Sequence, residues 1–183
     1  MSPNHQKSYR LVLAAMFLAL ALVLPFLTGQ IPQIGNALCP MHIPVLLCGF
    51  FCGQWYGLAV GLIAPLLRSA MFGVPPLIPK GVAMSLELAT YGFTAGMLYK
   101  VLPQKKSSVY IALIVAMIAG RVVWGIARTV FYGLGSTEFG WEAFLSGAFL
   151  TAIPGIILQL ILIPILVITL KKYTAADASC GVK

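Results

Sequence analysis

Charged residues are too scarce in this chain for it to carry a surface that faces water on all sides. Only 9% of its 183 residues are charged, and 60% are hydrophobic. An ordinary soluble domain devotes about a quarter of its residues to charge. A soluble fold of this composition would expose contiguous apolar patches of a size that monomers rarely carry. The sequence therefore predicts an all-α integral membrane protein. Six helices of ~20 residues would use ~120 residues. What remains is short loops and tails, with no room for an extramembrane catalytic or nucleotide-binding domain. The formal charge of +8 arises from twelve basic and four acidic residues. Most of the excess sits at the ends of apolar segments, as membrane topology requires, so nucleic-acid binding is not a candidate function.

The first apolar run, Leu11 to Leu27, follows Lys7 and Arg10 and imitates a signal peptide. Thr28-Gly29-Gln30-Ile31-Pro32 is a poor cleavage site and more spans follow, so the run reads as a retained helix. The chain is expected to form a single transmembrane domain over 1–183, with helices at about 9–28, 41–53, 57–72, 80–99, 108–132 and 142–170. The stretch from Met41 to Phe72 is the ambiguous part. As one helix it would measure roughly 48 Å, too long for a hydrocarbon core of about 30 Å, so it divides into two short spans at Gly53-Gln54-Trp55-Tyr56-Gly57. Charge parity agrees. With six helices, Lys7/Arg10, Lys100/Lys105/Lys106 and Lys171/Lys172 share one side, which the positive-inside rule makes cytoplasmic together with both termini. With five, the Lys100/Lys105/Lys106 and Lys171/Lys172 clusters would both face away from Lys7/Arg10, and one side could not hold all three. Glycines 49, 53, 57 and 61 recur every four residues, a spacing that lets helix backbones pack closely in a membrane.

Four ionisable residues, Arg68, Glu87, Arg121 and Arg128, fall within predicted spans, where such groups are costly and mark function. At ~1.5 Å per residue, Arg68 and Arg128 lie about 6 Å inside the outer helix ends, Glu87 roughly 10 Å and Arg121 roughly 16 Å. Arg121, Trp124 and Arg128 share one helix face by i, i+3, i+7 spacing, and Glu87 and Tyr91 are i, i+4 partners. Three positive charges against one negative point to an outward-facing pocket for a small anion. The arginines would bind a carboxylate, Trp124 would supply a stacking wall, and Glu87 would orient an arginine or accept a ligand hydroxyl. The competing reading is a helix tie between Glu87 and one arginine, with Arg68 and Arg128 snorkelling outward. Arg121 is too deep to snorkel. Tyr91, His42 and Asn36 are secondary candidates for the same pocket.

Catalytic machinery is not visible. Cys39-x-x-His42 has no second ligand pair to complete a metal site, so no metal is expected. The phosphate loop, the serine-nucleophile motif and the two-histidine metalloprotease helix are all missing from the sequence. The loops Gly29–Pro40 and Gly73–Pro79 both face outside in this topology, and either is placed to close over a ligand. A stand-alone channel would need a polar stripe through the full membrane depth, whereas the inner halves of these helices are mostly apolar. An intramembrane enzyme would need more than Glu87 and His42.

Five segments carry a family likeness: Ala15-Met16-Phe17-Leu18-Ala19, the run Leu38-Cys39-Pro40-Met41-His42-Ile43-Pro44-Val45-Leu46-Leu47-Cys48-Gly49, Pro65-Leu66-Leu67-Arg68-Ser69, Gly73-Val74-Pro75-Pro76, and Glu87-Leu88-Ala89-Thr90-Tyr91-Gly92. With six helices and cytoplasmic termini, the chain resembles the substrate-binding S component of an energy-coupling factor (ECF) vitamin transporter, most closely the pantothenate-type branch. The resemblance implies a non-enzymatic subunit in the bacterial plasma membrane that captures a vitamin. It also implies a T component, contacted through Ala15 and Ala19, and two cytoplasmic ATPases that use ATP while this subunit holds no cofactor. Pantothenate would meet the arginines through its carboxylate. Folate, with two carboxylates, fits the same charge balance.

Overall fold

The computed structural model describes residues 3–27, 40–103, 105–133 and 153–180. Among them the chain forms six α-helices: α1 (Pro3–Leu27), α2 (His42–Cys52), α3 (Gln54–Phe72), α4 (Val82–Val101), α5 (Lys106–Gly133) and α6 (Ile153–Cys180), with one π-turn at Leu77–Gly81 ahead of α4. No strand occurs among the described residues. Helices α1, α3 and α5 are long and apolar enough to cross a membrane, while α2 and part of α6 are shorter apolar helices. The boundaries differ modestly from the sequence expectation. Helix α1 starts at Pro3 instead of Tyr9, α4 starts at Val82 after the π-turn, and α6 continues to Cys180.

The division of the 41–72 segment comes down to a single residue. Gly53 sits at φ 100°, ψ 173°, a conformation that residues with a side chain rarely adopt, and it reverses the chain between α2 and α3. Gly53 is therefore the hinge of the hairpin, with open space around it, and not part of the helix-packing stripe expected for it. The other three glycines do pack. A Cβ at Gly49 or Gly57 would run into the Gly92 carbonyl, and one at Gly61 into the backbone of Leu88. Gly92 and Gly96 complete the seam from the α4 side. Three helix backbones thus approach to a distance that any side chain would prevent. In a bilayer, where no hydrophobic effect draws helices together, such close van der Waals contact is what holds them.

Helix ends follow local rules. Helix α3 stops at Gly73, which is left-handed (φ 68°) and donates its N–H to the Ser69 carbonyl at 2.9 Å. The loop after it is held at both sides, by Ser69 Oγ donating to Pro75 O at 2.5 Å and Gly81 N–H to Pro76 O at 2.9 Å. Helix α4 ends at Leu102, extended because the next residue is Pro103. The short turn is then closed by Lys105 N–H to Pro103 O at 2.7 Å.

The contacts give each helix a direction. Arg68 meets Leu22, and Phe72 meets Phe26, so α1 and α3 run parallel. His42 meets Tyr91, and Phe50 meets Tyr99, so α2 and α4 run parallel and opposite to α1. Lys171 on α6 lies with its Nζ 4.3 Å from the Tyr99 ring centre. Arg10 and Lys100 line one cleft. One end of the bundle consequently gathers Arg10, Lys100 and Lys171, the clustering on which the six-helix parity argument depends. Val45, Leu46, Leu88, Leu113 and Ile163 fill the interior. Ile111, Ile114, Ile118, Val122, Ile126 and Val130 form an exposed apolar stripe along α5, suited to lipid.

Candidate functional site

Toward the end of the bundle opposite the basic one, the deep polar residues converge on a single carboxylate oxygen. Glu87 is 2% exposed and is the only acidic residue on helices α1 to α5. Its Oε1 accepts a hydrogen bond from Tyr91 Oη at 2.9 Å, one turn along α4. The same oxygen lies 3.2 Å from Arg121 Nη1 on α5 and 3.7 Å from His42 Nε2 at the start of α2. The His42 and Tyr91 rings pack at 5.3 Å between centres. Three helices therefore meet at one buried charge. The tie between Glu87 and an arginine, and the orienting role expected of Glu87, are the same geometry: an ion pair that fixes the Arg121 guanidinium.

The positioning is local as well as tertiary. Gly120, adjacent to Arg121, leaves the space in which the Tyr91 ring lies. His42 is 2% exposed, and neither ring nitrogen has a hydrogen bond among the described residues. Buried polar atoms are nearly always satisfied, so these nitrogens mark a place where a polar group is wanted.

Further along the same face of α5, Trp124 is buried with Ala83 and Ala127, and Phe131 packs beside them. The Arg128 guanidinium lies over the Trp124 ring, 5.0 Å from its centre. The arrangement anticipated from i, i+3, i+7 spacing is present: Arg121, Trp124 and Arg128 form one column, with the paired arginine deepest and the stacked one nearer the helix end.

Arg68 is placed differently. Its Nη1 donates to the Leu22 carbonyl of α1 at 3.2 Å, and the guanidinium lies 5.4 Å and 5.9 Å from the rings of Phe26 and Phe72. Leu22 is one turn before Pro25, whose ring disturbs the helical hydrogen bonds of the preceding turn. A neighbouring helix that supplies a donor to the backbone near a proline is one way prolines are accommodated in membranes. The structure thus joins Arg68 to α1 and brings Glu87, Arg121, His42 and Tyr91 together without it. Asn36, Cys39 and the loop at 29–39 lie outside the described residues. No group of three or more metal-ligating side chains occurs among the described ones.

Sequence reasoning passed over Gly92, Gly96 and Gly120. The first two repeat the four-residue spacing already noted at 49–61 and were legible by the same rule. For Gly120 the only signal is its place next to a buried arginine.

Ala15 and Ala19 sit on the exposed face of α1, beside Val12, Met16, Leu20 and Val23, while Ala14, Phe17 and Ala21 face the core. That leaves a small-residue stripe open to a partner in the membrane.

Comparison with protein families matches residues 9–167 to the family described as ECF transporter, substrate-specific component. No curated protein and no solved structure matches the chain.

Proposed function

The chain belongs to the substrate-specific components of ECF transporters, and on that premise we propose that it captures a small anionic vitamin, pantothenate first, in the region bounded by Glu87, Arg121, Trp124 and Arg128. It is a membrane-embedded, substrate-binding transport subunit and not an enzyme. The observation that supports the anionic substrate is the charge balance of the residues around Glu87: two guanidinium groups on one face of α5, Arg121 and Arg128, against a single carboxylate. Pairing with Glu87 offsets one positive charge, which leaves a cationic excess that an anion relieves. Trp124 beneath Arg128 would stack on the organic part of the ligand, and His42 would hydrogen-bond to a hydroxyl or amide. Asn36, from the outer loop, is proposed as a further polar contact.

The same reading puts the basic end of the bundle, with Arg10, Lys100 and Lys171, in the cytoplasm of a bacterial cell, and the pocket toward the outside. Ala15 and Ala19 would contact a T component. Two ATPases bound to that component would hydrolyse ATP, so this subunit needs no cofactor of its own. Folate, with two carboxylates, is the competing substrate.

Calorimetric titration of the ligand-free protein with pantothenate and then folate tests the proposal. Tight one-to-one binding of pantothenate, lost by about tenfold or more in the Arg121→Ala/Arg128→Ala variant, is the expected result. An affinity for either vitamin that stays within about threefold in that variant overturns the anion pocket.

A further inference from the structure

A second concavity lies at the other end of the molecule. Along α4, Lys100 is thirteen residues beyond Glu87, about 20 Å at helical rise. There α1, α2, α3 and α4 leave a cleft of about 330 Å³. This is at the small end of the range of sites that hold small molecules. Its walls include Arg10 and Lys100, both exposed, together with Gln54, Trp55, Tyr56 and Tyr99, and no lining residue is acidic.

Two further features make this cleft electropositive. Helix α3 begins on its wall, after Gly53, without a side-chain cap. The first-turn N–H groups there have no acceptor within the helix, and the positive end of the helix dipole adds to the two cations. Lys171 lies over the ring of Tyr99, one of the lining residues. The aromatic residues set the level in the bilayer. Trp55 is 68% exposed and packs edge-on against Phe93, with 5.6 Å between ring centres. An exposed indole among tyrosines and basic side chains is the composition of a membrane–water interface.

We infer that this cleft seats the phosphodiester headgroup of an anionic phospholipid from the leaflet at the basic end of the bundle. Arg10 offers a planar fork to two phosphate oxygens, Lys100 a point charge, and the α3 N-terminus backbone donors. Trp55 and Tyr56 lie at the depth of the glycerol ester region. The occupant is a lipid and not a soluble phosphate, because an exposed indole and two tyrosines border the cations, the side chains that concentrate where headgroups meet acyl chains. The site is separate from the proposed vitamin pocket, and it stands whichever vitamin is carried.

Native mass spectrometry of the detergent-purified protein, titrated with short-chain phosphatidylglycerol or phosphatidylcholine, tests this. The expected result is one retained phosphatidylglycerol, bound about tenfold or more tighter than phosphatidylcholine, and weakened about tenfold in the Arg10→Gln/Lys100→Gln variant. Both substituted side chains are exposed, so the fold is expected to survive, and an unchanged thermal midpoint in detergent would report that directly. Quenching of tryptophan fluorescence by brominated phosphatidylglycerol, lost in Trp55→Phe, is a second readout that needs no charge removal. Equal affinity for the two lipids, or an affinity within about twofold in the double variant, overturns the inference. Inorganic phosphate binding as tightly as phosphatidylglycerol would replace the lipid with a soluble anion and equally overturn it.

Discussion

The Tyr91 ring occupies the space in which a side chain at position 120 would stand: a Cβ added to Gly120 would overlap Tyr91 Cδ1 and Cε1. The absence of that one carbon on α5 lets the phenol lie flat between helices and deliver its hydroxyl to Glu87 at 2.9 Å. The site and the helix packing are thus a single construction, and a change made for packing reads out in the chemistry.

Gly120→Ala should push the ring from its place and break the Tyr91–Glu87 hydrogen bond. Overpacking in a well-filled interior costs about 1–3 kcal/mol. A lowered thermal midpoint in detergent, with weakened vitamin binding, is expected. An unchanged midpoint would show that the ring has room to move.

Glu87→Gln should be among the most destabilising single changes in the protein. It leaves the Arg121 guanidinium, with its side chain only 10% exposed, without its counter-ion. Removing one partner of a buried pair costs roughly 3–5 kcal/mol. The Glu87→Gln/Arg121→Gln double variant should regain part of that loss, and a double-mutant cycle of thermal unfolding measures the coupling. Additive effects would mean that the two groups do not act as a pair.

Arg68→Ala should lower stability while leaving vitamin affinity within about threefold. Its guanidinium bonds the Leu22 carbonyl one turn before Pro25, and a hydrogen bond from a charged group contributes roughly 1.5–3 kcal/mol. Paired melting and calorimetric measurements separate the two effects. A large loss of affinity would return Arg68 to the pocket.

Ala15→Leu/Ala19→Leu should abolish co-purification with a T component and leave vitamin binding intact. Both alanines face outward on α1, so neither substitution disturbs the core. Undiminished co-purification would exclude this stripe as the contact.

Much of this was legible from residue order. Poverty of charge demanded a membrane fold, and the charge parity of Lys7 and Arg10 against Lys100 and Lys171 demanded a break between Met41 and Phe72, which the chain makes at Gly53. Helical spacing put Arg121, Trp124 and Arg128 on one face, and Glu87 and Tyr91 together. Each of these depends on local geometry, which repeats every 3.6 residues and can be counted along the chain.

The choice of partner across helices could not be counted. Helical spacing says which way a side chain points but not which helix stands opposite. His42 reaches Glu87 because α2 and α4 run parallel with their glycines interlocked, at 49 and 92. Arg68, on a helix with the same deep-charge signature, turns instead to α1, where the Leu22 carbonyl accepts it. The cleft between Arg10 and Lys100 likewise joins residues ninety positions apart. Sequence alone determined the solvent, the helices and their polar faces, because those follow from composition and local periodicity. Tertiary structure alone decided which charge meets which, because only close backbone packing brings distant helices within reach of one oxygen atom.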